Sequence, residues 1–180
     1  MADFKLAHER TLKFEGAYSN HEADRGGETF AGIARVYHEN WLGWKIIDQY
    51  KTVTSDTKTL NKILFGNDEL MSLIEDFYKI EFWDRIKGNE IMYQTVANNI
   101  YDMAVNSGVR KASKTAQRIV GVDDDGVIGN ITIKAINKYN PNTFVFEFKR
   151  AREYFFKSIV AHNPSQEVFI DGWLRRNQEA

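Results

Sequence analysis

The sequence predicts a mainly α-helical protein with one small β-hairpin near residues 18–33. Three observations carry that reading. Apolar residues recur at helical spacing along most of the chain. No segment alternates apolar and polar residues for long enough to build a large sheet. One stretch, 15–34, breaks the helical pattern with glycines and polar groups, and its Gly26-Gly27 pair suits a turn that needs positive φ.

The elements follow in order. Segment 3–14 places Phe4, Ala7, Thr11 and Phe14 near one face, with Lys5, Glu9 and Lys13 elsewhere. After the polar loop, segment 40–50 carries Trp41, Trp44, Ile47 and Tyr50. Segment 68–84 carries Leu70, Leu73, Ile74, Phe77, Tyr78 and Trp83, and Gly88-Asn89 ends it. Segment 91–107 carries Met92, Val96, Ile100, Met103 and Val105, and Gly108 follows as a stop. A helix over 110–120 runs to Gly121. A turn, GVDDDGVIGNIT, then leads to a helix over 131–138, with Asn130 or Thr132 near its start. Asn140-Pro141 breaks that helix and a longer one spans 142–160. His162-Asn163-Pro164 precedes a last helix holding Val168, Phe169 and Trp173.

Composition narrows the function. The 180 residues include 24 Lys+Arg and 25 Asp+Glu, a formal net charge of −1. That balance disfavours a nucleic-acid binder, which needs a basic footprint to displace counterions. It equally disfavours a polybasic membrane anchor. The absence of Cys excludes disulfides, thiolate metal sites and cysteine nucleophiles. The four His have no metal-ligand spacing, and Asp123-Asp124-Asp125 before Gly126 lacks the alternating ligands of a calcium loop. That run reads as a solvated turn, and no cofactor or metal is expected. The first residues, MADFKLAHERTLKFEG, have no apolar core of a secretory signal, and no window is apolar enough to span a bilayer. A soluble monomer made in the cytoplasm is the expectation.

Chemistry concentrates in the loop. Glu15 stands where the first helix gives way to Gly16. It reads either as a solvated helix-end charge or as a general acid, since a carboxyl set against aromatics keeps its proton closer to neutrality. Asp24 lies nine positions on and Thr29 five further. A glycosidase needs a second group across the scissile bond, and a folded-back hairpin can supply Asp24 and Thr29 there. Glu28 is a rival carboxylate for that role and a candidate substrate contact. Tyr18 can present a ring face to a sugar. Asn106 either hydrogen-bonds to substrate near the junction of the two halves or caps its helix.

The stretch E-G-A-Y-S-N-H-E-A-D-R-G-G-E-T-F-A-G-I-A, Glu15 to Ala34, resembles the signature of glycoside hydrolase family 108, the lysozyme-like N-acetylmuramidases of phages and bacteria, some labelled secretion activators. The pattern is E-G-G-Y, a polar spacer, then D-x-G-G-x-T-x-x-G-I, with Ala17 here in place of a glycine. The resemblance implies a lysozyme-like fold with Glu15 as the catalytic acid. It is also similar to the Glu, Asp, Thr arrangement of phage-type lysozymes, with the Asp24-to-Thr29 interval one residue shorter. Further matches to the peptidoglycan-binding region that commonly follows are Y-D-M-A-V-N-S-G (Tyr101 to Gly108), D-D-G-V-I-G-N-I-T (Asp124 to Thr132) and G-W-L-R-R (Gly172 to Arg176). Segment 36–66 matches least.

These likenesses imply a catalytic region over 1–90 and a helical peptidoglycan-binding region over 91–180 packed on it. The expected reaction is cleavage of the β-1,4 bond between N-acetylmuramic acid and N-acetylglucosamine in peptidoglycan glycan strands. A lytic transglycosylase and a non-catalytic wall-binding or secretion-assisting protein are the alternatives. The site of action would be the cell wall, reached through a holin in the manner of a phage endolysin, or in chromosomally encoded wall opening for export.

Overall fold

The computed structural model of the chain describes residues 1–20 and 27–180. Two compact units emerge: residues 12–78, and residues 1–11 together with 79–180. Among the described residues there are nine α-helices and one small antiparallel sheet, so the mainly α architecture with a hairpin near 18–33 is what the chain adopts. No helix among them is long and apolar enough to cross a membrane. Helix α1, Phe4–Leu12, belongs to the second unit except for its last residue.

The unit over 12–78 begins with three short strands, β1 (Ser19–Asn20), β2 (Glu28–Phe30) and β3 (Ile33–Ala34), in that spatial order. Ser19 faces Thr29 across the first pair, and Phe30 faces Ile33 across the second. Strands β2 and β3 are joined by only Ala31 and Gly32, with φ of 46° and 76°. Positive φ at both positions makes a type I′ turn, whose twist matches the strands it joins. Glycine adopts this freely, whereas Ala31 needs help, and the Tyr78 hydroxyl supplies it by donating to the Ala31 carbonyl at 2.7 Å.

Helices α2 (Gly43–Lys51), α3 (Thr57–Phe65) and α4 (Asp68–Tyr78) complete this unit and pack on one another. Their buried sides hold Trp44, Ile47, Leu60, Leu64, Leu70 and Ile74. Phe30 of the sheet is buried and meets Phe65 at 5.1 Å between ring centroids. Helix α3 has a clear start, because Asp56 accepts from the Thr59 amide at 2.8 Å. The helix expected over 68–84 is divided. Helix α4 stops at Tyr78, and Lys79–Trp83 form a wider π-helical turn, with the Asp84 amide reaching Lys79 oxygen at 2.8 Å.

The second unit is built around α5 (Gln94–Ser107), whose residues 96–104 are all buried. Helices α6 (Val109–Ile119) and α8 (Pro141–His162) pack against it and against each other, while α7 (Asn130–Lys138) lies between them in sequence. Helix α9 (Ile170–Glu179) packs on α8. Gly108 closes α5 with φ of 91°, the stop the sequence calls for. Pro141 sits in the first turn of α8, and Asn140 caps it by accepting from the Thr143 amide at 3.0 Å.

A charged knot ties three of these helices. Asp102 of α5 pairs with Arg152 of α8 at 2.7 Å and with Arg176 of α9 at 2.9 Å. All three are buried. Nearby, Phe4 and His8 of α1 stack at 5.1 Å, and Phe4, Trp83 and Tyr101 form an aromatic cluster. Trp83 lies so close to Gly88 that a Cβ there would stand 2.2 Å from the indole.

Candidate active site

Glu15 lies just beyond α1, not inside it. The helix ends at Leu12, and the Glu15 amide donates back to the Leu12 carbonyl at 3.0 Å, which turns the chain. The residue is half-buried. Its carboxylate rests against the backbone of the type I′ turn. A Cβ built on Gly32 would fall 2.5 Å from Glu15 Oε2 and 2.6 Å from the Tyr78 hydroxyl. Only a residue without a side chain leaves room for both oxygens. The hairpin therefore fixes one flank of the carboxylate with backbone, which is a rigid wall.

The hydroxyl of Tyr78 is buried and donates to Ala31 oxygen. The same side chain thus holds the turn in its left-handed conformation and stands beside the acid. This is a specific use of one aromatic: its ring fills the core while its polar tip reaches the loop.

Next to this lies a second cluster, centred on Glu28. Its carboxylate accepts from the Tyr18 hydroxyl at 2.7 Å and from Lys51 Nζ at 2.7 Å on one oxygen. Arg35 Nε lies 2.8 Å from the other oxygen, and the side chain of Glu28 is only 11% exposed. Arg35 goes on to grip Asp48 at 2.7 and 3.1 Å and covers the Trp44 ring at 4.6 Å. Burial, reinforced by the Glu28 carboxylate, pushes the Tyr18 phenol above its ordinary range, so it stays a donor. Arg35 holds the Asp48 carboxyl below its ordinary value. The main-chain amide of Tyr18 is also held, by Asn61 at 2.8 Å.

The structure thus joins Tyr18 with Glu28, and Glu15 with Gly32 and Tyr78. Thr29 sits in the middle of β2, half-buried, across from Ser19. Strand alternation turns it to the sheet face opposite Glu28 and Phe30. Asp24 lies outside the described residues. Asn106 occupies the last turn of α5 in the second unit, inside the helix and not at its cap, and accepts from the Ser107 hydroxyl at 2.9 Å. Asp125 of the acidic run accepts from the Val127 amide and from Gln117, both at 2.8 Å, and Asp124 pairs with Arg118, so these two carboxylates serve a turn.

Sequence reasoning missed Gly32 and Tyr78. Gly32 is in the quoted motif, and its conformational role was readable there. Tyr78 gave only the signal of a core position at helical spacing. Arg35, Lys51 and Asp48 carried no signal, since each reads as a surface charge.

The glycosyl hydrolase 108 profile matches residues 8–108, and a profile described as a predicted peptidoglycan domain matches residues 111–178. No curated protein matches the chain. A solved structure of Brucella abortus SagA is similar, with 28% identity, a TM-score of 0.71, and coverage of 97% of this chain and 89% of that one. The fold is lysozyme-like and mainly α. The chain belongs to the glycosyl hydrolase 108 family, and the peptidoglycan domain that follows its catalytic region marks it as a glycoside hydrolase directed at the bacterial cell wall.

Proposed function

We propose that the protein is an N-acetylmuramidase that hydrolyses the β-1,4 bond between N-acetylmuramic acid and N-acetylglucosamine, with Glu15 as general acid. The observation that carries this is the seating of the Glu15 carboxylate against the Gly32 turn, in the motif that the family profile covers. Glycoside cleavage needs a proton delivered to the departing oxygen at a fixed distance, and a carboxyl flanked by backbone meets that need better than one on a free helix end.

The second face of the sugar needs a carboxylate or a held water. Asp24, or water held by Asp24 and Thr29, fills this role in our reading. Glu28 is the weaker choice, because its two oxygens already face Tyr18, Lys51 and Arg35. Its charge ties the sheet to α2, and it acts on substrate through Tyr18, whose ring is the proposed sugar contact. Asn106 is a proposed polar contact to the glycan.

Mass spectrometry of the fragments released from purified sacculi tests the proposal. Fragments ending in reducing N-acetylmuramic acid support hydrolysis at the stated bond. Reducing N-acetylglucosamine ends would move the cleavage to the other glycosidic bond, and 1,6-anhydro-muramic ends would make the enzyme a lytic transglycosylase. Binding to sacculi with no fragment released would leave a wall-binding protein without catalysis.

A further inference from the structure

A groove of about 570 Å³ lies between α6 and α8, wholly within the second unit. It is in the size range of small-ligand sites. Three cations line it, Lys111, Arg118 and Arg150, against one acid, Glu147. Glu147 is held by the Tyr139 hydroxyl at 2.8 Å, and Arg118 is paired with Asp124. Lys111 and Arg150 are different. Each lies over an aromatic face, Lys111 Nζ at 4.4 Å from the Phe155 ring and Arg150 at 5.6 Å from Phe146, and no described carboxylate is within ion-pair distance of either. The groove therefore has an unbalanced positive charge along an apolar wall.

Its hydroxyls add a second constraint. Thr115 donates to the Lys111 carbonyl at 3.0 Å, and Ser158 donates to the Phe155 carbonyl at 2.7 Å. Both protons are committed, so what these side chains offer a ligand is lone pairs, which accept from N–H groups. Tyr154, 77% exposed, adds a ring at the rim. A ligand that fits carries carboxylates for the cations, amide N–H groups for the hydroxyls, and short apolar side chains for the rings.

Peptidoglycan contains one component with that chemistry. Its glycan strand is neutral where the lactyl groups are amide-linked, whereas its peptide stems carry free carboxylates and a run of amides. We propose that the α6–α8 groove binds the carboxylate-bearing peptide stem of peptidoglycan, with Lys111 and Arg150 holding the carboxylates. This deepens the cell-wall reading above and rests on it. The stem would anchor the second unit to the wall independently of the glycan that the acid attacks.

Calorimetric titration of the full chain with the N-acetylated tetrapeptide stem L-Ala–γ-D-Glu–meso-diaminopimelate–D-Ala tests this. Saturable 1:1 binding is expected. It should weaken at least tenfold in the Lys111→Gln/Arg150→Gln variant, and at least tenfold when the stem carboxylates are amidated. Both substituted residues are solvent-exposed, so the variant should keep the wild-type circular dichroism and melting temperature. Equal binding by the variant, equal binding of the amidated stem, or binding of inorganic polyphosphate or of the peptide-free disaccharide in place of the stem would overturn the assignment. Fragment release from sacculi separates the two claims. A protein that cleaves sacculi but binds no stem loses the groove assignment alone. One that binds the stem but releases no sugar loses the catalytic reading alone.

Discussion

Glu15 and Gly32 stand so close that the second cannot carry a side chain: a Cβ at residue 32 would lie 2.5 Å from Glu15 Oε2. The turn also holds Gly32 at φ of 76°, so a substitution meets both a collision and backbone strain. Gly32→Ala is expected to cost about 1–3 kcal/mol of stability. It should also lower hydrolysis of sacculi at least tenfold while the fold persists, because the acid is displaced from its flank. Urea unfolding and turbidity clearance read the two effects, and a variant with wild-type activity would show that the contact does not position Glu15.

Tyr78 links the same turn to the core. Tyr78→Phe keeps the ring and removes the hydrogen bond to Ala31, whose φ of 46° is unfavourable for a residue with a side chain. A loss of about 1–2 kcal/mol is expected, with a fall in the rate of sacculus hydrolysis larger than any change in sacculus binding. Unchanged kinetics would reduce Tyr78 to a packing residue.

The fold was largely legible because its signals are local. Apolar spacing marks α5 and α8, Gly108 marks a stop, and Asn140-Pro141 marks a helix start. Helix α3 was not legible: its buried side rests on Leu60 and Leu64 alone, too few positions to show a period. The end of α4 was missed because a π turn keeps the apolar side nearly in phase, so Trp83 still looks helical. Of the proposed site, Glu15 was legible, because its motif is local. Tyr78, Lys51 and Arg35 were not legible, since their meaning lies in pairings that bring distant segments together.

The buried knot of Asp102, Arg152 and Arg176 predicts a strong stability effect. Removing the carboxylate takes away the buried ion-pair partner that the two guanidinium groups share. Asp102→Asn is expected to cost about 3–5 kcal/mol, read as a lower urea midpoint, with the slope preserved. A shift below 1 kcal/mol, on the order of a surface pair, would contradict the role assigned to the knot.

Acid sensitivity follows from His8. Burial drives its pKa down from 6.5 to about 4, because the imidazolium form loses hydration. Above pH 6.5 the ring is neutral in both states and contributes nothing to the pH dependence. Between 6.5 and 4 the unfolded chain takes up a proton that the folded chain refuses, so stability falls as pH falls, by up to about 3 kcal/mol. Below 4 both states are protonated and the loss levels off. Urea unfolding at pH 7 and 4.5 should show this drop in the wild type and a smaller one in His8→Gln. An equal drop in both would place the acid sensitivity elsewhere.

The central claim is that one carboxyl, Glu15, delivers the proton that breaks the glycan. Turbidity clearance of purified sacculi by wild type and by Glu15→Gln, with matched melting temperatures, tests it most directly. The account predicts a loss of at least a hundredfold in the variant, the scale of general acid catalysis, with sacculus binding retained. Clearance by Glu15→Gln at the wild-type rate would contradict it.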